Sequence, residues 1–324
     1  MHKVVATIPM DPGHAKKPGF YSIFMFADAV ADAYGLPLVC GLNTLGKPTA
    51  SNDMLEQLRD TLTLLNIRPY GWWADSMLND ILAQNTFDAL LAAGCIRTTT
   101  RDICRCSCGN VEHLAGIELF STKTLIKEGR SLCCHTCITE SQEEVLVTLP
   151  LPEIPLPNVY PEWAEREFRT KMAKLAGSEL LLSRTTPRRY RIVRGSKSWY
   201  IDNDAVWWLY MRWLYASAYQ PTHLVVGVST LRQAAVICTI SALLGLPVPT
   251  HVYCLPKVFF APIHGTTSLE SAIARFGTNR VRNALLWSAL SQRKEYTLSG
   301  SLFPAMRNAP VEKEYALERS YLRR

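Results

Sequence analysis

The sequence predicts an α/β protein in which a doubly wound parallel sheet carries a zinc-knuckle insertion. The composition is that of a globular chain, with 48% hydrophobic and 19% charged residues. Short apolar runs alternate with amphipathic helical patterns over the first 65 residues, an order that is typical of a parallel sheet covered by helices. Six of the ten cysteines stand in two short clusters, which indicates a metal site in an added segment.

The first strand is predicted in "HKVVATIP", a run of β-branched and apolar residues that ends at Pro9. A loop with two prolines and two glycines follows in "MDPGHAKKPG". The next segment, "FYSIFMFADAVADAYG", keeps apolar residues at helical spacing, and Gly35 is expected to end this helix.

A second buried strand is predicted in "LPLVCGL", and a helix in "SNDMLEQLRDTLTLLNI" that begins at Ser51 or Asn52. The apolar face of this helix is formed by four leucines, Leu55, Leu58, Leu62 and Leu65. In parallel sheets of this kind, ligands bind at the carboxyl ends of the strands. We therefore expect the chemistry in the loop after Pro9 and in the loop "CGLNTLGKP".

The clustered cysteines have the spacing of zinc ligands. Zinc in structural sites takes four thiolate or imidazole ligands at the corners of a tetrahedron. Cys106 and Cys108 lie in one predicted turn with Gly109, and Cys134 and Cys137 lie in another. Because four protein ligands leave no open position on the metal, this zinc is expected to have a structural role and no catalytic one.

The choice of the four ligands remains open. Three further candidates stand in the same clusters, Cys104, Cys133 and His135. The alternative is that these thiols are small buried core residues, as free cysteines commonly are. Six thiols in so short a stretch favour zinc, and we place the zinc-binding insertion at about residues 95–150.

The net charge is mildly positive. The chain carries +7, and part of the excess lies in "TTPRRYRIVRGSK". We expect a solvated surface there, because a nucleic-acid groove needs a denser basic stripe with stacking aromatic residues. The N-terminus lacks the pattern of a signal peptide, and no apolar run approaches the roughly 20 residues that cross a bilayer. A cytoplasmic protein without a membrane partner is expected.

The order of the motifs resembles the catalytic domain of a class I aminoacyl-tRNA synthetase, most nearly the methionyl type. The resemblance runs from "IPMDPGH" and "CGLNTLGKP" through the cysteine clusters to "LLLSRTTPRRYRI", "AVWWLYMRWLY", "THLVVGVSTLRQ" and "SAIARFGTNRVRNALL". It implies a Rossmann-like fold whose halves span residues 1–94 and 151–290, on either side of the insertion. Residues 291–324 are expected to form a helical tail, and the family's anticodon-binding domain is not expected.

The resemblance implies a nucleotide site in the first half, although most polar residues of the family's first signature are replaced. That signature, His-Ile-Gly-His, falls on "KPGF" at residues 17–20, so that only the glycine is kept. The residues expected to border the nucleotide in this half are Pro9, Gly13 and Gly19. The residues expected to act on its phosphates are His14, Lys16 and Lys17.

The amino-acid pocket implied by the resemblance has also changed. Asn43 replaces an Asp that holds the substrate ammonium, so a free α-amine would lose its counter-charge. Trp208 and Tyr215 match aromatic residues of the methionine pocket, whereas Tyr210 stands in place of an Asp.

In the second half, Gly227 is kept and Ser229 replaces another Asp, and both are expected at the nucleotide. The family's mobile Lys-Met-Ser-Lys-Ser loop corresponds to "YCLPKVFFAPIHGTTS". Lys257 and His264 are its expected phosphate contacts.

Three functions are compatible with these residues. The first is an enzyme that activates an amino acid with ATP and Mg²⁺ and passes the acyl group to a small-molecule acceptor without tRNA, as in natural-product biosynthesis. Such an enzyme could work with a partner such as a cupin. The second is a catalytically degenerate synthetase that acts as a binding or scaffolding partner, because several charged positions are lost together. The third is a methionine–tRNA ligase, which the missing signatures disfavour.

Overall fold

A parallel sheet of six strands lies at the centre of the structure, and its strands come from both halves of the chain. The computed structural model describes residues 1–11, 18–43, 52–74, 80–92, 94–105, 111–113, 119–120, 126–127, 130–131, 142–184, 190–201, 206–243, 245–261, 268–291, 293–306 and 308. Its strands, in chain order, are β1 (His2–Thr7), β2 (Leu38–Leu42), β3 (Gly71–Ala74), β4 (Arg97–Arg105), β5 (Val111–His113), β6 (Leu119–Phe120), β7 (Ile126–Lys127), β8 (Arg130–Ser131), β9 (Gln142–Pro150), β10 (Asn158–Tyr160), β11 (Glu179–Leu181), β12 (Ser183–Arg184), β13 (Arg191–Arg194), β14 (Lys197–Ile201), β15 (Tyr219–Gly227), β16 (His251–Leu255), β17 (Lys257–Ala261) and β18 (Glu295–Ser299). Its helices, in chain order, are α1 (Pro18–Tyr34), α2 (Asn52–Leu64), α3 (Asp80–Ala92), α4 (Glu162–Leu175), α5 (Val206–Ala216), α6 (Leu231–Leu243), α7 (Leu269–Phe276), α8 (Thr278–Ala289) and α9 (Leu302–Ala305).

The central sheet has the strand order β10-β16-β15-β1-β2-β3, and all its neighbouring strands are parallel. The chain leaves β1 towards β2 and β3 on one side and later adds β15 and β16 on the other. Thr7 of β1 lies beside Val225 of β15, so the two halves of the chain meet directly at β1. The predicted parallel α/β sheet is thereby confirmed.

The first four predicted elements are present. Helix α1 ends at Tyr34, and Gly35 follows with a φ of +61°, a conformation that glycine adopts without strain. All five residues of β2 are buried. Helix α2 begins at Asn52, and Leu58, Leu62 and Leu65 of its predicted apolar face are fully buried.

Two consecutive tryptophans show that helices cover both faces of the central sheet. Side chains alternate between the faces along a strand. Trp72 of β3 contacts Phe24 of α1, with ring centroids 6.4 Å apart. Trp73 contacts Tyr210 of α5 at 5.2 Å. Helices α1 and α5 therefore lie on opposite faces, as a doubly wound sheet requires.

The insertion forms a second sheet, with the order β5-β4-β9-β11-β6. Strands β4 and β9 are antiparallel at the base of the segment predicted as an insertion. Arg97 is paired with Thr148 at one end of this ladder, and Ile103 is paired with Gln142 at the other. Strand β11, which follows α4, also joins this sheet. Arg97 forms an ion pair with the buried Glu179 of β11, which connects the insertion to the segment after it.

Strands β17 and β18 form a parallel pair, joined through α7 and α8, and this differs from two expectations. The segment from Lys257 to Ala261 was expected to be part of a mobile loop, but it pairs with Glu295–Ser299 over five residues. The expectation of a helical tail is wrong for Glu295–Ser299, and α9 is the only helix in the described part of that tail. The sequences "KVFFA" and "EYTLS" explain both differences, because they are rich in β-branched and aromatic residues.

Among the described residues, no helix combines the length and the apolar character needed to cross a membrane.

Candidate active site at the carboxyl edge of the central sheet

The carboxyl edge of the sheet is where the predicted site residues come closest together. Beyond β1, the chain continues alongside β2: the N–H of Met10 donates to the carbonyl oxygen of Gly41 (3.0 Å), and the N–H of Asn43 donates to that of Met10 (2.9 Å). On the other side, β1 pairs with β15. The strand order thus reverses its direction at β1, which is the position where parallel α/β sheets bind ligands.

Gly41 allows the segment after β1 to pack directly against β2. A Cβ at Gly41 would lie 3.1 Å from the Cα and the ring of Pro9, closer than carbon atoms normally approach. The N–H of Gly41 also donates to Oγ1 of Thr7, at 3.2 Å. Pro9, which was predicted to border the nucleotide, is buried against β2 and helps to shape the wall of the edge.

Gly227 ends β15 next to α1. Its N–H donates to Oγ1 of Thr230 (3.1 Å), and the Thr230 hydroxyl donates to the carbonyl oxygen of Gly227 (2.9 Å). A Cβ at Gly227 would lie 3.4 Å from Cδ1 of Ile23, one turn into α1. Ser229, in the turn that Thr230 closes, is exposed. The structure therefore brings Gly227 and the first turns of α1 together, and the predicted contact of Gly227 with a nucleotide stays a prediction.

Gly19 is close to protein atoms and not to open space. A Cβ at Gly19 would lie 2.2 Å from the carbonyl oxygen of Val258 and 2.8 Å from its Cβ. The absence of a side chain at Gly19 therefore lets β17 pack directly on the first turn of α1. The space into which a Cβ of Gly19 would project is therefore filled by β17.

Lys257 is placed away from that contact. It precedes Val258 on β17, and neighbouring residues of a strand point to opposite faces. Its ammonium group lies 4.6 Å from the centre of the exposed Phe259 ring, where a cation is attracted by the ring face. The structure thus does not bring the Lys257 side chain to Gly19.

The predicted pocket residues of α5 are separated. Tyr210 is fully buried, and its hydroxyl donates to the carbonyl oxygen of Thr7 (2.8 Å) at the end of β1. Burial raises the pKa of Tyr210 well above its ordinary value, with a smaller contribution from Cys40. Tyr215 instead donates to the carbonyl oxygen of Pro247 (2.6 Å), in the loop that leads into the amino end of β16.

Trp208 lies in the first turn of α5. That helix ends at Ala216, just before β15 begins at Tyr219, so it runs antiparallel to β15 along the sheet. Its first turn is accordingly the end nearest the carboxyl edge. Of the predicted aromatic residues, Tyr210 and the backbone of Trp208 are therefore on the side of the candidate site, and Tyr215 is not.

Several predicted residues lie outside the described part of the chain. They are Gly13, His14, Lys16, Lys17, Cys106, Cys108, Cys134, Cys137 and His264. Within the described residues, no group of three or more His, Cys, Asp or Glu side chains could hold a metal. The zinc site therefore stays a prediction.

Three of the described cysteines outside the two clusters belong to the core. Cys40, Cys238 and Cys254 are buried, and burial raises the pKa of each thiol, to about 12 for Cys238. Thiols with raised pKa are poor nucleophiles and poor metal ligands at neutral pH. These three cysteines are packing residues and not parts of the chemistry.

Three residues at this edge were missed by the sequence analysis. Thr7 accepts hydrogen bonds from the N–H of Gly41 in β2 and from the hydroxyl of Tyr210 in α5. Thr230 closes the turn after β15, and Val258 packs on Gly19. Thr230 could have been found, because a threonine shortly after a strand and before a helix commonly caps that helix. Thr7 and Val258 act through contacts that are distant along the chain, and no local pattern indicates them.

Comparisons with known proteins identify the fold. No protein-family model matches the sequence. No curated protein sequence matches it either. Two solved structures of Mycobacterium tuberculosis methionyl-tRNA synthetase, both with methionyl-adenylate, resemble it with a TM-score of 0.65 and 13% identity. Each match covers 94% of this chain and 68% of the synthetase chain. The chain therefore has a fold like that of a class I aminoacyl-tRNA synthetase catalytic domain, and at this identity the likeness concerns the fold alone.

Proposed function

We propose that this chain is a synthetase-like enzyme that activates an amino acid with ATP and transfers the acyl group to a small molecule without tRNA. The observation that supports this proposal is the reversal of strand order at β1, beside Gly227 and the first turns of α1. The solved structures that share this fold were determined with methionyl-adenylate, the product of such an activation.

The proposed reaction has two steps. The amino-acid carboxylate attacks the α-phosphorus of ATP, and the bond to the β-phosphate breaks, so that magnesium pyrophosphate leaves. The nucleophile of the acceptor then attacks the acyl carbon, and AMP leaves with the electrons of the broken bond. Catalysis in such steps depends mainly on orientation and on stabilisation of the phosphate charge.

These tasks are assigned to residues that the sequence analysis predicts for the site. Asn43 is proposed to accept a hydrogen bond from the substrate amine, and Trp208 to line the amino-acid pocket. His14, Lys16 and Lys17 precede α1, whose N-terminus has no acidic residue in its first turn. The positive charge of the two lysines and the helix dipole would act together on phosphates.

Amino-acid-dependent exchange of pyrophosphate into ATP tests the proposal. We expect exchange with one member of a panel of amino acids, and we expect Lys17→Ala to abolish it. Lys174→Ala, on the exposed surface of α4, removes the same charge and should leave exchange unchanged. Exchange that survives in Lys17→Ala would remove this residue from the mechanism.

A catalytically degenerate synthetase that acts as a binding or scaffolding partner is the second candidate. The contact of Gly19 with Val258 favours it, because packing against β17 explains a glycine at this position without a nucleotide. This candidate predicts no exchange with any amino acid and no thermal shift with ATP and Mg²⁺. A thermal shift by ATP alone would contradict it, because that shift requires a nucleotide site.

A structural zinc ion in the insertion is part of the proposal. Its proposed ligands are Cys106, Cys108, Cys134 and Cys137, whose thiolates would close a tetrahedral site. A cytoplasmic location and a partner enzyme such as a cupin also remain proposals, and co-purification from the native host would identify such a partner.

A further inference from the structure

A proline-rich segment joins β9 of the second sheet to β10 of the central sheet, and the proposed function does not use it. Its sequence is "PLPEIPLP" at residues 150–157. The N–H of Leu151 donates to the carbonyl oxygen of Ser178 (2.9 Å), and the N–H of Asn158 donates to that of Thr250 (2.9 Å). The segment is therefore fixed at both ends, although its residues, all of them described, form no helix or strand between β9 and β10.

The sequence of this segment favours the polyproline II conformation. Four of its eight residues are prolines, whose rings fix φ at about −65°. Three of the other four precede a proline, which pushes their backbone towards an extended or polyproline II conformation. These three residues are Leu151, Ile154 and Leu156. Only Glu153 is free of both restrictions, so we expect a polyproline II helix, which has three residues per turn.

The burial of the side chains follows the same period of three. Leu151 and Ile154 are only 2% and 8% exposed and belong to the core, and Pro157, three residues further on, is partly buried. One row of the helix therefore packs on the protein. The other two rows, which we together call the outer ridge, are formed by Pro152 with Pro155 and by Glu153 with Leu156.

The outer ridge is mostly apolar and is poor in backbone donors. Pro155 and Leu156 are exposed, Leu156 with 39% of its surface, and Pro152 is partly exposed. Because prolines have no N–H, a partner strand could not form a continuous β ladder along this segment. In a polyproline II helix the carbonyl groups make no internal hydrogen bonds and are available as acceptors. A partner must therefore bring apolar surface for the rings and hydrogen-bond donors for the carbonyl groups.

We propose that the outer ridge is a docking site for a protein domain with an aromatic-lined groove that recognises polyproline II segments. Such grooves pack aromatic rings against the proline-rich ligand, and binding costs little entropy because the ligand is already in its bound conformation. Pro152 and Pro155 have the spacing of the P-x-x-P segments that these domains bind. The inference goes beyond the proposed function, because it requires neither ATP nor an amino acid.

The charge of the outer ridge restricts the partner further. Glu153 is exposed, and it is the only charged residue in the sequence from 145 to 161. A nucleic acid or an acidic protein would find no cation in this stretch to bind. The groove of the partner is therefore expected to place a Lys or Arg side chain near Glu153, in a contact that salt weakens.

Titration of the full chain into a panel of fluorescently labelled SH3, WW and EVH1 domains tests this inference. We expect at least one domain to bind with a Kd of about 100 μM or below. P152A/P155A removes both proline rings of the outer ridge and should weaken that binding by about tenfold or more. The matched control is P247A/P304A, which replaces two exposed prolines that have no proline three residues away, and it should bind like the wild type.

Two further variants leave the prolines in place. Leu156→Glu puts a charge into the exposed apolar row and should weaken binding by about fivefold or more. Glu153→Lys should weaken binding to a domain with a basic groove, and this loss should become smaller at high salt. Far-UV circular dichroism and the melting temperature of each variant establish that the fold is retained.

A synthetic peptide of residues 149–158 separates the affinity of the sequence from its accessibility in the folded chain, and it should compete with the full chain for the same domain. Three results would overturn the inference. They are no binding of the full chain to any domain of the panel, binding of the peptide without binding of the full chain, and equal binding by P152A/P155A and the wild type. Each of them would leave the prolines with a different role, the protection of the edge strand β10 against strand addition.

Discussion

The carbonyl oxygen of Val258 lies so close to Gly19 that a Cβ on this glycine would be only 2.2 Å from that oxygen. This contact joins β17 to the first turn of α1 and gives Gly19 a packing role that needs no ligand.

Gly19→Ala should therefore destabilise the protein in the absence of any nucleotide. The added methyl group would collide with main-chain atoms of Val258, which a rotamer change cannot move. Overpacking of this kind costs typically about 1–3 kcal/mol of unfolding free energy, measurable by urea denaturation. Gly71→Ala is the matched control, because its Cβ would meet no atom nearer than 3.5 Å. Equal stability of both variants would show that β17 does not pack on Gly19 in solution.

Tyr210→Phe should lower the unfolding free energy by about 1–2 kcal/mol. The variant removes the hydrogen bond to Thr7 and leaves a buried carbonyl group with one bond fewer. Tyr215→Phe removes a similar bond to Pro247 at a partly exposed position and should cost less. Chemical denaturation of the two variants measures both losses of unfolding free energy. A larger loss in Tyr215→Phe than in Tyr210→Phe would contradict the prediction.

The stability of the fold should decrease as the pH falls from 6.5 towards 4. His223 of β15 is buried beside His251 of β16, with ring centroids 4.8 Å apart, and beside Tyr34 of α1 at 4.3 Å. Burial, and to a smaller extent His251, lowers the pKa of His223 to about 4. In the unfolded chain the same histidine has a pKa near 6.5. Between pH 6.5 and 4 the unfolded state therefore binds more protons than the folded state, and lowering the pH favours unfolding.

The size of this effect is about 1–3 kcal/mol across that range, measured by urea denaturation at several pH values. His223→Phe should reduce the dependence, because it keeps an aromatic ring and removes one of two histidines whose pKa is lowered by burial, the other being His251. His2→Phe is the control, since His2 is exposed at the start of β1 and should leave the dependence unchanged. A wild-type stability that is constant from pH 6.5 to 4 would contradict a buried neutral His223.

Metal analysis should find about one equivalent of zinc per chain after purification without chelators. Cys106→Ser and Cys137→Ser should each lower the zinc content and make the insertion sensitive to protease, because zinc binding supplies folding free energy to small metal-bound units. Cys95→Ser, outside the two clusters, should keep its zinc. Protein that contains less than half an equivalent of zinc would count against the site.

The first half of the fold was predictable because its strands and helices are indicated by residues close together in the sequence. The apolar run of β2 and the leucine face of α2 are patterns within a few residues, and Gly35 is a local stop signal. The pairing of β17 was not predictable in the same way, because its partner β18 lies beyond two helices, although the sequence of β17 has the composition of a strand. The candidate site shows the same division: local patterns placed the carboxyl ends of β1 and β2, but they did not indicate the distant partners of Thr7 and Gly19.

The parallel pairing of β1 with β15 has a consequence for the way this chain acquires its structure during synthesis. β1, at residues 2–7, leaves the ribosome long before one of its two neighbours, β15, which is made only at residues 219–227. Sheets with such distant contacts close late and slowly, and their strands remain open to wrong association until then. Chains truncated before residue 219 should therefore aggregate, and coexpression with the missing segment is the direct way to rescue them.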